Sequence, residues 1–165
     1  MESEHVMILG VGCTLFSDEG FGVRVVEAIE KRYEFPEKNV SVVDGGVLGT
    51  NLLGVISQAD QLIVVDAIRN KGEPGSLYRL EGDAIPERIR MKNSIHQVDF
   101  LEALTLCQAL DKVPETVIVG IEPEDIETLC LELTETTLSK VDPVIDMVLA
   151  ELDRLGVAYR KKSEN

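Results

Sequence analysis

The chain has no tryptophan and few aromatic residues: Phe, Tyr and Trp make up 4% of its 165 residues, whereas hydrophobic residues make up 44%. The core must therefore be aliphatic, built from Val, Ile and Leu. Basic residues are scarce too, since 16 Lys and Arg stand against 30 Asp and Glu, and the net charge is -14. A field of this sign repels phosphate backbones and anionic lipid, so we expect no nucleic-acid or membrane partner, whereas a basic protein could be attracted.

Long apolar runs and paired cysteines are also missing. No apolar run approaches the ~20 residues that a membrane helix needs, and the segment 1–7 has no cationic stretch followed by a long apolar one. We therefore expect a cytoplasmic protein. Cys13, Cys107 and Cys130 are odd in number and show no C-x-x-C spacing, which argues against a disulfide framework and a thiolate zinc site.

What the chain does contain is an alternation of strand-like and helix-like segments. Short apolar runs predict strands at 6–9, 40–43, 62–65, 76–80 and 116–121. Helical periods predict helices from Ser17 to about Tyr33 and over 48–57, 98–110 and 138–155, with Ser17 as a cap. This alternation favours right-handed parallel crossovers. We predict an α/β fold: a three-layer α/β/α sandwich with a mostly parallel, twisted sheet of about five strands. It forms one domain over 1–165, with 160–165 as a frayed tail.

Two carboxylates and one imidazole each follow a predicted strand: Glu19, Asp66 and His96. Loops at the carboxyl ends of neighbouring strands meet in one crevice of an open α/β sheet, so these residues can share a site. Asp66 directly continues a buried run, where an unpaired charge is costly, so it needs a cation or several donors. Two carboxylates with a neutral imidazole suit a borderline divalent ion and leave coordination positions open.

Other interpretations of these residues stay open. Glu19 also fits the first turn of a helix, where the macrodipole favours an acid, and Asp18 would serve there equally well. His96 can be a structural or exposed histidine. Cys13 in a glycine loop supplies a rival chemistry, a cysteine hydrolase with His96 as base and Asp66 as orienting acid.

A nucleotide-binding fold is a further alternative. Gly10-Val11-Gly12 follows the first strand and Asp44 ends the second, as in dinucleotide-binding proteins. The third glycine of G-x-G-x-x-G should stand at position 15, where the chain has Leu15. A non-catalytic nucleotide- or metal-binding α/β module is therefore the alternative to an enzyme.

Six motifs together resemble the nickel-iron hydrogenase maturation endopeptidases, in order and spacing, from about Val6 to Leu155. They are Gly10-Val11-Gly12, Ser17-Asp18-Glu19-Gly20-Phe21-Gly22-Val23-Arg24, Asp44-Gly45-Gly46, Val65-Asp66-Ala67, His96-Gln97 and Gly120-Ile121-Glu122-Pro123. Each motif alone is weak, but six in register are specific.

The resemblance implies a peptidase that removes a short C-terminal extension from the hydrogenase large-subunit precursor after nickel insertion. The family's metal-contacting residues carry over onto Glu19, Asp66 and His96. The nickel is expected to be presented by the substrate, although other divalent ions can occupy such a site. The resemblance leaves the catalytic residues unknown, and we expect a monomer.

Two loops bear on how the substrate would be held. Asp44-Gly45-Gly46 offers free backbone N–H and C=O groups as a cradle for an extended tail. Members of the family usually carry Asn where this chain has Cys13. A thiol replaces the hydrogen bonds of that amide poorly.

Overall fold

The computed structural model describes residues 4–37, 39–45, 55–81 and 114–163. These ranges contain both strands and helices, and a 3-10 turn, Ser17–Gly20, precedes the first helix. The strands are β1 Val6–Gly10, β2 Tyr33–Glu34, β3 Val40–Asp44, β4 Gln61–Ala67, β5 Leu77–Glu81, β6 Glu115–Ile121 and β7 Arg160–Lys161. The helices are α1 Phe21–Arg32, α2 Glu135–Leu138 and α3 Val141–Arg154.

Five of these strands form the main sheet, in the order β3-β1-β4-β6-β5. The strand β1 pairs in parallel with β3 and β4, and β4 pairs in parallel with β6. Only β5 among these five runs antiparallel, along β6. The predicted α/β fold with a mostly parallel sheet of about five strands is confirmed.

The strands are buried on both faces, as their unbroken apolar runs predict. On one face, Ile8 and Ile63 pack against Phe21 of α1 and Ile145 of α3. On the opposite face, the alternate strand residues join a second apolar cluster that includes Ile56. The helix predicted at 98–110 and most of the one predicted at 48–57 lie outside the described residues.

The helix predicted over 138–155 is confirmed as α3, although α3 begins a few residues later, at Val141, and ends at Arg154. A separate short helix, α2, ends at Leu138, and Ser139 and Lys140 lie between the two helices. Pro143 supplies the physical reason, because a proline deep inside a helix loses one hydrogen bond and clashes with the carbonyl four residues earlier, here that of Ser139. The break leaves Pro143 in the first turn of α3, where proline is tolerated.

Two other local predictions also differ from the structure. Ser17 does not cap α1: it lies in the 3-10 turn with a φ of 52°, and its hydroxyl donates to the Glu132 carbonyl at 2.8 Å. The described part of the tail, 160–163, is paired and does not fray, since Arg160–Lys161 forms an antiparallel ribbon with β2. Both features depend on partners more than a hundred residues away, which local periodicity cannot reveal. Within the described ranges, no helix is long and apolar enough to cross a membrane.

Candidate active site

The carboxyl ends of four strands lie side by side and define the candidate site. Gly10 at the end of β1 pairs with Asp44 at the end of β3 and with Val65 in β4. The next residue of β4, Asp66, pairs with Gly120 in β6. Adjacent strands are separated by about 4.8 Å, so Asp44 and the end of β4 are about two strand spacings apart. The structure therefore brings two of the predicted site residues to one edge.

Asp66 lies inside β4 and not after it, because the strand continues to Ala67. It is buried, with 6% of its surface exposed, and it takes part in a polar interaction. The expectation that this acid is drawn toward the interior is confirmed. A buried carboxylate must be compensated by donors or a cation, since its desolvation is costly.

Glu19 reaches the same edge through the loop after β1. This half-buried residue lies in the 3-10 turn, one turn before α1 and not in its first turn. Gly12 has a φ of 124°, and a Cβ built there would lie 1.9 Å from the Glu19 carbonyl oxygen. Only glycine permits both this conformation and this approach. The 3-10 turn also contacts β4, so the backbone of Glu19 is held beside the strand that carries Asp66.

The start of α1 packs directly against the carboxyl ends of the strands. A Cβ on Gly22 would lie 2.1 Å from the carbonyl oxygen of Val65 and 2.6 Å from that of Val11. Gly10 has a similar role, since a Cβ there would lie 2.4 Å from the Gly22 carbonyl oxygen. Close helix–sheet packing thus accounts for glycines that also suggested a nucleotide loop.

Asp18 is the best-connected polar residue near this edge, and its importance was missed in the sequence. Its carboxylate is fully buried and accepts hydrogen bonds from the backbone amides of Glu124, Asp125 and Thr134 at 2.9 to 3.0 Å. The hydroxyl of Thr137 donates to it at 2.6 Å, and that of Thr134 at 2.9 Å. Asp18 therefore fastens the turn that carries Glu19 to the loop before α2.

The pKa of Asp18 reflects two opposing effects. Burial by itself raises this pKa, but the hydrogen bonds from Thr137, Thr134, Asp125 and Glu124 outweigh burial and hold the pKa below its ordinary value. Asp18 is therefore ionised and anchors the turn, and hydrogen-bond donors occupy both of its carboxylate oxygens. Glu19 next to it is the half-buried acid at the edge.

A second buried carboxylate organises the loop after β4. Glu122 has 4% of its surface exposed and accepts from the backbone amides of Asn70 at 2.9 Å and Gly72 at 2.7 Å. The hydroxyl of Tyr78 donates to it at 2.8 Å. The loop that leaves Asp66 is therefore tied to the end of β6. Its place after Gly120-Ile121 in a family motif was the sequence signal for this residue.

The remaining predicted site residues are only partly described. Asp44 is exposed at the end of β3, and the amide of Gly45 donates to the Gly10 carbonyl at 2.7 Å. The expectation of a free backbone N–H in this loop is therefore wrong for Gly45, because the loop uses that group to close against β1. His96 and Gly46 lie outside the described residues. Among the residues that are described, no three His, Cys, Asp or Glu side chains form a group that could hold a metal ion. The complete set of Glu19, Asp66 and His96 remains a prediction.

Comparison with known proteins identifies the class. The family model described as hydrogenase maturation protease matches residues 23–151. The chain is 36% identical over 164 residues to the hydrogenase expression/formation protein HupD of Bradyrhizobium diazoefficiens, covering 98% of this chain and 85% of that protein. It is 37% identical over 155 residues to the hydrogenase 2 maturation protease of Escherichia coli, covering 93% of each.

A solved structure agrees with these relatives. The hydrogenase maturating endopeptidase HybD from Escherichia coli matches with a TM-score of 0.91 and 36% identity, covering 98% of this chain and 99% of that one. The class is therefore an α/β endopeptidase. The chain belongs to the hydrogenase maturation protease family, as its six motifs predicted.

Proposed function

We propose that this endopeptidase removes the C-terminal extension of a nickel-iron hydrogenase large-subunit precursor after nickel insertion. In this proposal Glu19, Asp66 and His96 contact the nickel that the precursor presents. The observation that carries it is the convergence of Asp66 and the Glu19 turn on one sheet edge.

Nickel contact would serve to position the substrate. An ion held jointly by precursor and enzyme fixes the scissile peptide, so that cleavage proceeds as an effectively intramolecular event. The bound ion could also polarise the peptide carbonyl or activate water. Two carboxylates and one imidazole with open positions bind a free divalent ion weakly, which suits a metal that arrives with the substrate.

The extended tail of the precursor would be held along the outer side of β3. Among the described strands, β3 has β1 as its one neighbour in the main sheet. In this proposal the extension pairs with β3 as an added strand, which is a common mode of peptide binding. Asp44, Gly45 and Gly46 at its carboxyl end would then receive the tail next to Asp66.

The role of nickel can be tested by incubating chelator-treated enzyme with either metal-free or nickel-loaded precursor and measuring the mass of the products. We expect cleavage of the nickel-loaded form only. Glu19→Gln, Asp66→Asn and His96→Ala should each reduce the rate by at least about 100-fold, because misplacement of the reacting groups has costs of that order. Efficient cutting of metal-free precursor would contradict nickel recognition.

Two matched variants complete this experiment. His5 precedes β1 at the opposite edge of the sheet and shares a hydrogen bond of 2.9 Å with the Ser41 hydroxyl, so His5→Ala should cleave normally. Cys13→Asn separates the cysteine-hydrolase alternative, because a thiol nucleophile cannot be replaced by an amide. We expect this variant to retain or improve cleavage; a folded variant that binds precursor without turnover would favour the thiol.

The net charge bears on the oligomeric state and on the partner. A chain of net charge -14 repels copies of itself and anionic surfaces. We propose that the enzyme works as a monomer in the cytoplasm. Its partner would be the precursor protein, attracted through basic groups near the extension.

A further inference from the structure

Three exposed leucines lie beside the proposed site and have no role in the core. Leu15 is 51% exposed, Leu129 is 74% exposed and Leu131 is 60% exposed. We call these three residues the leucine patch. A soluble chain gains nothing from placing several large apolar side chains together in water, and such groups commonly mark interaction surfaces.

The three residues are neighbours because two segments pair with each other. Phe16 and Cys130 form a parallel bridge, in which the Cys130 amide donates to the Leu15 carbonyl at 2.9 Å and the Ser17 amide donates to the Cys130 carbonyl at 2.8 Å. Phe16 and Cys130 are half-buried, whereas the leucines that flank them are exposed.

The backbone that carries the patch is held in place. Arg24 of α1 donates to the Leu131 carbonyl at 2.9 Å, and the Ser17 hydroxyl donates to the Glu132 carbonyl at 2.8 Å. Asp18 binds both ends of the same loop through Glu124 and Thr134. The patch is therefore preorganised, which lowers the entropic cost of binding a partner.

The patch begins within the reach of a typical protein interface centred on Glu19. A typical protein interface covers about 800 Å² on each partner, equivalent to a circle of about 16 Å radius. Leu15 is four residues from Glu19, so their Cα atoms are at most about 14 Å apart. A protein that brings its peptide to Glu19 therefore has Leu15, and the segment paired with it, within reach of its interface.

Charge around the patch indicates what kind of partner fits. Residues 122–135 contain six acids and no Lys or Arg. Four of these acids are exposed: Glu124, Glu127, Glu132 and Glu135. A second copy of this acidic chain would be repelled, whereas an apolar surface framed by Lys and Arg would be attracted.

We propose that the leucine patch is the docking surface for the body of the large-subunit precursor, which presents apolar side chains framed by basic residues. This inference rests on the proposed substrate and not on nickel contact. Docking at the patch would hold the folded subunit while the extension enters the edge at Asp66. The patch would contribute to precursor affinity and leave the chemical step unchanged.

The double variant Leu129→Ser/Leu131→Ser tests this assignment. Both side chains are exposed, so the variant should fold. We expect the Kd for precursor, measured by titration, and the KM for cleavage to rise about tenfold, as for interface anchors. We expect kcat at saturating precursor to stay within about twofold, and the change in Kd to be equal for nickel-loaded and metal-free precursor.

Leu138→Ser is the matched control, because Leu138 is 60% exposed, as Leu131 is, but lies in α2 outside the bridged segments. It should leave Kd and KM unchanged. Unchanged Kd and KM in the double variant, or an equal loss in Leu138→Ser, would overturn the proposal. So would a dimer of the parent protein in sedimentation that the double variant abolishes, since the patch would then join two copies. Glu19→Gln should lose cleavage yet keep its Kd for metal-free precursor, so failure of nickel contact and failure of docking are distinguishable.

Discussion

Two neighbouring acids, Asp18 and Glu19, have separate tasks although their residue types suggest the same one. Asp18 is fully buried and saturated by donors from the 124–137 segment. Glu19 is half-buried in a turn that contacts β4. The first holds the turn, and we propose that the second contacts the substrate.

Asp18→Asn should destabilise the fold by about 1–3 kcal/mol or more, the cost of leaving buried donors unsatisfied. The amide nitrogen of Asn would face either the Thr134 amide or those of Glu124 and Asp125, all of which are donors. Urea unfolding at neutral pH measures this loss.

Asp125→Asn is the control for that substitution. Asp125 accepts through one oxygen from the amides of Glu127 and Thr128, both at 3.0 Å. An Asn carbonyl can accept the same bonds, so the loss of stability should be much smaller than that caused by Asp18→Asn. If Asp18→Asn were equally mild, Asp18 would not be the anchor of the turn.

At the scale of the elements, the seating of α1 on the sheet decides where Glu19 lies. Helix propensity alone would favour a larger residue than glycine in the first turn of α1. Gly22 is required there because the helix passes within contact distance of the carbonyls of Val11 and Val65. Any residue that lifts α1 would also move the 3-10 turn away from Asp66.

Gly22→Ala should therefore lower the free energy of unfolding, whereas helix propensity alone would raise it. Propensity alone predicts a gain of about 0.5–1 kcal/mol, whereas overpacking costs about 1–3 kcal/mol. Thermal unfolding of the variant and the parent protein would show which of the two effects is larger.

Ala28→Gly, at a half-buried position of the same helix, provides the comparison for Gly22→Ala. It should cost about 0.5–1 kcal/mol by propensity. A Gly22→Ala protein more stable than the parent would mean that α1 does not need this close approach.

At the scale of the whole molecule, an ion cluster links α3 to the antiparallel edge of the sheet. Glu151 is buried in α3, accepts from the Arg79 guanidinium of β5 and also accepts from Arg154 at 2.9 Å. Arg79 reaches Glu81 at 3.1 Å as well. The hydrogen bond from Arg79 is the main cause that lowers the pKa of Glu151; burial opposes it, and Arg154 adds to the lowering.

This lowered pKa makes the stability depend on pH. A carboxyl whose pKa is lower in the folded state stabilises the fold above its ordinary pKa of 4.5, and this contribution disappears as pH falls through the folded value. Glu151→Gln should thus be less stable than the parent by about 1–3 kcal/mol at pH 7. The difference should shrink below about pH 4.5, which urea titrations at several pH values would measure.

The exposed pair of Arg32 and Asp142 serves as the control for the pH series. The Nη1 atom of Arg32 lies 2.6 Å from the Oδ1 atom of Asp142, and the two side chains are 50% and 76% exposed. Asp142→Asn should change stability by at most about 1 kcal/mol. A Glu151→Gln difference that stays constant from pH 7 to below pH 4 would exclude Glu151 as the titrating group.

The sequence by itself determined the alternation of strands and helices, the aliphatic core and the candidate residues Glu19 and Asp66. Hydrophobic periodicity and strand ends are local patterns, and the parallel sheet brings strand ends to one edge. His96 stays a prediction of the same kind, since it lies outside the described residues.

Only the tertiary structure decided what Asp18, Ser17 and Arg160 do. The donors to Asp18 lie between 106 and 119 residues away along the chain, and β7 pairs with a strand at the far end of α1. Such contacts leave no periodic trace, because the partner's position depends on how the intervening chain folds. A first-turn acid and a terminal basic tail therefore look ordinary in the sequence, and the fold makes the acid an anchor and part of the tail a strand.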